Sequence, residues 1–169
     1  MYDKRPQLTK ADVEKIEAEI EERKLVIRPQ LIGEVQEARA QGDLSENFEY
    51  YAAKKAKNEN EGRIRYLEQM LKKAVIISDA SGSDEVGLNN IVTLYFEEDR
   101  EEMDYKIVTS IRGNSLENRV SNESPIGKAI MGHKVGDRVE VKVSPDYSYY
   151  VEIRAIDKTA GEDDEIKRF

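Results

Sequence analysis

QGDLSENFEYYAAKK, residues 41–55, breaks a long helical pattern with a glycine and then crowds carboxylates beyond it. Upstream, Thr9 stands where a helix N-cap belongs, ahead of a charged run in which Val13, Ile16, Ile20, Ile27, Leu31, Val35 and Ala38 recur at steps of three, four and seven. That is a narrow apolar stripe. Pro29 lies inside the run, where its missing N–H and its ring predict a kink, and Gly42 predicts the stop. Downstream, residues 44–74 form a second run, with Phe48, Ala52, Ala56, Arg63, Leu67, Met70 or Leu71, and Ala74 as its seam. Gly62 weakens this run by roughly 1 kcal/mol relative to Ala. Two such stripes joined by a short break bury each other only by folding back as an antiparallel helical hairpin. Arms of about thirty residues make a rod ~45 Å long at ~1.5 Å per residue, with residues 41–47 at its tip.

Beyond Val75 the period changes. AVIIS (74–78), NIVTLYF (90–96), DYKIVTSI (104–111), RVEVKV (138–143) and YYVEIRAI (149–156) are short, β-branched and aromatic, separated by Gly, Asn, Asp and Ser. Between them Ser124 can cap a short helix, with Pro125 at its first position and Gly132 past its end. The expected fold class is therefore α+β: a long N-terminal antiparallel helical hairpin over residues 1–77, a C-terminal antiparallel sheet domain with one short helix over 78–158, and a solvated acidic tail over 159–169. The acidic run EEDREEMD (97–104) reads as a solvated hairpin connection.

Composition narrows the chemistry. The chain has no Cys and one His, His133, among 169 residues, so thiolate and multi-histidine metal sites are excluded. A Ser-His-Asp triad would have to use His133, which lies in a turn and reads as a surface residue. No apolar run approaches ~18 residues and the N-terminus has no signal-peptide core, so a cytoplasmic protein without membrane attachment is expected. Residues 1–76 hold 15 acidic and 15 basic side chains, so the whole net charge of −8 falls on the second half. General attraction to nucleic acid is not expected from that balance.

The acids around Gly42 have a plain reading. Asp43 as N-cap with Glu46 three residues on is a capping-box pattern. A calcium loop fails, because Phe48 and Lys54 stand where the turn glycine and the bidentate glutamate belong. A functional reading rests on placement: carboxylates at a helix N-terminus stay ionised, and two of them at a rod's tip form half of a divalent-cation site. Two carboxylates fall short of the six oxygens Mg²⁺ takes, so a partner would complete it.

The stretch RPQLIGEVQEARAQGDLSENFEYYAAKKAKNENEGRIRYLEQML (28–71) resembles the coiled-coil domain of the bacterial transcript cleavage factors, the Gre family. The match is carried by RP (28–29), EAR (37–39), GDLSEN (42–47), EY (49–50), AA (52–53) and EGRI (61–64), and SPIGKAIMGHKVGD (124–137) resembles that family's C-terminal domain. The resemblance, over roughly residues 8–157, implies an FKBP-like C-terminal fold. It also implies a hairpin that enters the secondary channel of RNA polymerase and brings Asp43 and Glu46 to the active centre, where the 3′ end of a backtracked RNA is hydrolysed by the polymerase. The two acids would help hold the second Mg²⁺ and orient the attacking water, with Mg²⁺ shared only in the complex and no cofactor on the factor alone. By the same resemblance Arg39 and Lys54 would contact the RNA, and Ser124, Pro125, Ile126 and Gly127 would lie in the part that docks at the channel rim. Solvated helix-face charges are the plain alternative for Arg39 and Lys54; Tyr50 reads as tip packing and Glu49 as structural. Phe48 and Tyr51 depart from the family pattern, which has a small residue and a His there.

The leading expectation is thus a monomeric regulatory factor that lends carboxylates to RNA polymerase and is no enzyme by itself. A channel-blocking inhibitor of the same family, an FKBP-like isomerase or chaperone with a coiled-coil arm, and a plain structural coiled coil remain as alternatives.

Overall fold

The computed structural model describes residues 5–42 and 47–168. The chain divides into two compact units: residues 1–5 with 13–74, and residues 6–12 with 75–169.

The first unit is helical. Helix α1 (Lys10–Glu22) runs into a π-helical turn (Arg23–Ile27) and on into α2 (Arg28–Ala40); α3 (Phe48–Lys73) packs back along α2. The irregularity that Pro29 predicts is this turn. Arg28 N–H reaches back five residues to the Arg23 carbonyl. The widened turn makes room for a ring that would otherwise meet the carbonyl of Leu25, four residues back.

Ile16, Ala38, Ile64 and Leu67 are buried, but the hairpin is held equally by charge. Arg63, 3% exposed, donates to both Glu19 oxygens at 2.8 and 3.3 Å. Glu19 also accepts from Arg23 at 2.9 Å, and Arg23 reaches Asn60 Oδ1 at 2.9 Å. Arg28 grips Glu61 through two bonds of 2.6 and 2.8 Å. Burial pushes the Glu19 pKa up, but the bonds and charges of Arg63 and Arg23 outweigh it and hold the carboxyl below its ordinary range. Phe48, expected in the seam, is 85% exposed: α3 begins only at this residue, and Asn47 takes the inward-facing place beside α2.

The second unit is a five-stranded sheet in the order β5-β4-β3-β7-β6, from β3 (Ile91–Phe96), β4 (Glu101–Val108), β5 (Arg119–Ser121), β6 (Arg138–Ser144) and β7 (Tyr147–Asp157). Strands β3, β4, β6 and β7 are antiparallel as the pattern implied, but the expected strand AVIIS lies outside this sheet and the short β5 adds a parallel pair with β4, so the sheet is mixed. A separate parallel pair joins β1 (Gln7–Leu8) to β2 (Val75–Ile76). Alternation sets the core face: Val92 and Leu94, Val139 and Val141, Val151 and Ile153 point one way, and Ile130 of α4 (Pro125–Ile130) covers them. Each such side chain contributes about 1.5–3 kcal/mol on burial. The acidic run 97–104 is a connection only as far as Arg100; Glu101–Asp104 open β4 and bond to β3, with the Asp104 carboxylate accepting from the Thr93 hydroxyl.

A buried charge cluster lies in this unit. Thr9 caps α1 by accepting from Asp12 N–H, and Asp12 accepts in return from Thr9 N–H at 2.9 Å. Asp12 accepts also from Thr109 Oγ1 and from Arg112 Nε. The terminal residues, expected to be a solvated tail, complete the cluster. Asp164 accepts from Lys106 at 2.6 Å and Arg112 at 2.9 Å, Glu162 accepts from Asn89, and Lys167 N–H donates to the Ile111 carbonyl. Arg112 and Lys106 need these oxygens more than the carboxylates need water. No helix among the described residues is long and apolar enough to cross a membrane.

Candidate functional site at the hairpin tip and the short helix

The tip is built by two helix ends. Gly42 takes φ +128°, a conformation that side chains rarely adopt, just past the end of α2. Across from it, Asn47 caps α3, with Oδ1 accepting from Tyr50 N–H at 3.0 Å. Its Nδ2 donates to the Ala38 carbonyl at 2.7 Å, tying the start of α3 to the last turn of α2. The expected capping pair, Asp43 with Glu46 at the third position, falls outside the described residues. Asn47 itself stands outside helical geometry at φ −90°, ψ 89°, so the cap belongs to it. Asparagine ranks with aspartate as a cap, and that was the signal that could have found it. Asp43 and Glu46 lie outside the described residues, and with them the expected carboxylate pair.

The basic residues of the tip are described. The Arg39 guanidinium sits over the Tyr50 ring, 5.6 Å from its centre, and Nη2 reaches the Tyr50 hydroxyl at 3.4 Å. That bond lowers the Tyr50 pKa from its ordinary value, with Lys54, Arg39 and Lys57 adding charge attraction. Arg39, Lys54 and Tyr50 therefore form one electropositive corner. Tyr50 packs, as expected, and Tyr51 meets its edge at 5.5 Å. Glu49 is exposed and lines an open groove with Glu34, Glu37 and the alanines of α3. Among the described residues no group of three His, Asp or Glu could hold a metal ion.

The second candidate element is α4. Ser124 caps it, accepting from Gly127 N–H at 3.1 Å and donating to the Ser121 carbonyl at 2.6 Å. Gly127 is buried, and a Cβ there would fall 2.1 Å from the Ser121 carbonyl oxygen, so no other residue fits. Ile126 is partly buried against the core, and Pro125 is exposed. Of the four residues expected to dock, two thus shape the turn and two supply surface. His133 pairs through Nδ1 with Asp137 at 3.0 Å on the surface, as expected of it.

Residues 6–76 match the N-terminal domain of the transcription elongation factors, and residues 80–158 match the GreA/GreB C-terminal domain. The transcription elongation factor GreA of Streptococcus gordonii is 44% identical over 160 residues, covering 94% of this chain and 99% of that protein. The chain belongs to the GreA/GreB family of transcription elongation factors. GreA of Streptococcus pneumoniae is likewise 44% identical to this Gre factor, over 162 residues that cover 95% of the chain and all of the relative. Among solved structures, the GreA factor homolog 1 protein of Thermus thermophilus is 31% identical, covering 90% of this chain and 99% of that one, with a TM-score of 0.42. Residues 159–169 of this Gre factor lie beyond both matched domains.

Proposed function

We propose that this Gre factor binds bacterial RNA polymerase through the secondary channel and stimulates hydrolysis of backtracked RNA by the polymerase's own active centre. The factor is not the catalyst. Its hairpin delivers Asp43 and Glu46, whose carboxylate oxygens are the donor type that Mg²⁺ takes; two of them leave the remaining positions to polymerase carboxylates, RNA and water. When bound there, Mg²⁺ supplies activation of water and neutralisation of phosphodiester charge. The carboxylates orient that water, and Arg39 and Lys54 attract the phosphates of the extruded 3′ segment. Pro125 and Ile126 meet the channel rim on a turn whose shape Ser124 and Gly127 maintain.

The observation that carries this reading is the closed hairpin of a Gre-family chain. Asn47 bonds to the Ala38 carbonyl at 2.7 Å, so the two helix ends flanking residues 43–46 in sequence are fixed to each other and not splayed. The deciding experiment adds the factor to a stalled, backtracked polymerase complex carrying end-labelled RNA, as wild type and as Asp43→Ala. The wild type should release a 3′ fragment many times faster than polymerase alone, and Asp43→Ala should not, with unchanged far-UV circular dichroism. Cleavage by Asp43→Ala at the wild-type rate would overturn the assignment.

A further inference from the structure

Among the described residues nothing buries Phe48 or Tyr51. Phe48 is 85% exposed and Tyr51 52% exposed, one helical turn apart at i and i+3 on the first turns of α3. Residues so spaced are surface neighbours, with Cβ atoms about 5–6 Å apart. Lys55 continues the row at i+7 and is exposed. On the adjoining row Tyr50 is committed: its hydroxyl faces Arg39, and Lys54 and Lys57 are close enough to act on its charge. Two open aromatic faces are thus bordered by a cluster of cations. Tyr51 is also braced, its ring against the edge of Tyr50 at 5.5 Å, so little rotational freedom is lost when a flat partner settles on it.

We infer that Phe48 and Tyr51 form a stacking platform for unpaired bases of single-stranded RNA, with Arg39, Lys54, Lys55 and Lys57 drawing in its phosphates; this rests on the docking proposed above. An aromatic pair alone would suit any apolar partner. The cations choose among partners, because stacked bases bring a phosphate with each ring and a protein wall does not. The platform reads π-faces and not base edges, so it is tolerant of sequence.

The test uses two polymerase complexes, one with several extruded 3′ nucleotides and one without, and an Asp43→Ala background so that binding is measured without cleavage. Competition binding should place the factor at least roughly fivefold tighter on the extruded complex, the least that one base–aromatic stack supplies. Phe48→Ala should cut that difference by roughly fivefold or more, down to what the cations alone supply, Phe48→Trp should retain or enlarge it, and Phe48→Leu should behave as Ala. Abasic extruded nucleotides, which keep their phosphates, should cut it to the same extent with the native side chain in place. Equal binding to the two complexes, or Phe48→Ala without effect, would overturn the platform. Phe48→Leu matching Phe would overturn it too, and would mark the patch as a contact with the channel wall. Cleavage is scored separately with Asp43 intact: if the tighter binding persists while the factor fails to accelerate cleavage, the platform stands and the cleavage reading falls.

Discussion

Arg112 Nε donates to Asp12 Oδ1 at 2.6 Å, and neither side chain has any exposed surface. Removing Arg112 strands the Asp12 carboxylate away from water, at a cost of about 3–5 kcal/mol, whereas removing Asp12 leaves Arg112 its bond to Asp164 and costs less. Asp12→Ala and Arg112→Met should each lower the denaturant midpoint of the folded chain, Arg112→Met the more. The double variant should recover part of the loss, since no buried charge then lacks its partner. A double variant as unstable as the sum of the singles would argue against coupling between them.

The tail is the second contributor to that cluster. Truncation after Lys158 removes Glu162 and Asp164, leaving Arg112 Nη1 and Lys106 without their carboxylate, and Asp164→Asn alone removes the charge. Hydrogen bonds to charged groups contribute about 1.5–3 kcal/mol, so either change should depress thermal stability by several degrees. Burial raises the Asp164 pKa, but the bonds and charges of Lys106 and Arg112 hold it below the usual range. A depressed carboxylate contributes stability above its unfolded pKa and loses it as pH falls. The difference between the truncated and full chains should therefore shrink on acidification below about pH 4, leaving what the backbone bond of Lys167 contributes.

Asn47 does two jobs that substitution can separate. Asn47→Asp keeps the oxygen that caps Tyr50 N–H and loses the donor to Ala38; Asn47→Ala loses both. The cap contributes about 1 kcal/mol and the cross-bond about 0.5–1.5 kcal/mol. Hydrogen exchange at the Tyr50 amide should accelerate severalfold in Asn47→Ala and little in Asn47→Asp. Equal rates in all three chains would remove Asn47 from the cap.

Glu19 contributes to the pH response of the helical unit. Its depressed pKa follows from Arg63 and Arg23 despite the opposing effect of burial, so its contribution is complete near neutrality and lost as pH drops below the ordinary glutamate range. Glu19→Gln should destabilise the hairpin at pH 7, because the charge that faces the buried Arg63 is lost while the hydrogen-bonding shape is kept. The difference from wild type should shrink at pH 3. A constant difference across that range would mean that shape, and not charge, holds this place.

Much of this was legible in residue order. Ser124, Pro125 and Gly132 marked α4, Thr9 marked the start of α1, and alternation in RVEVKV and YYVEIRAI marked the inner face of the sheet. The failures have physical sources. Phe48 was assigned to the seam because an apolar residue at the right spacing looks buried until the helix start is known, and the start was hidden by three residues of capping type, Asp43, Ser45 and Asn47, within five positions. Strands β1 and β5 are two and three residues long, too short to carry a period, and of AVIIS only Val75–Ile76 forms a strand. Arg112 gave no sign of burial: a charged side chain reads as exposed unless its partners are known, and they lie 100 residues before it and 52 after.

The π-helical turn has a consequence for how the arm tolerates change. A residue added to or removed from an ordinary helix swings everything beyond it by about 100°. Arg23–Ile27 already stores one such residue, next to the proline that favours the wider winding. Deleting any one of the five would let α1 and α2 join smoothly but would rotate Ala38 and Arg39 away from α3. The angular indexing of the far end is set there, some three turns from where it matters, and an insertion or deletion at that point has to be matched by another one in α3.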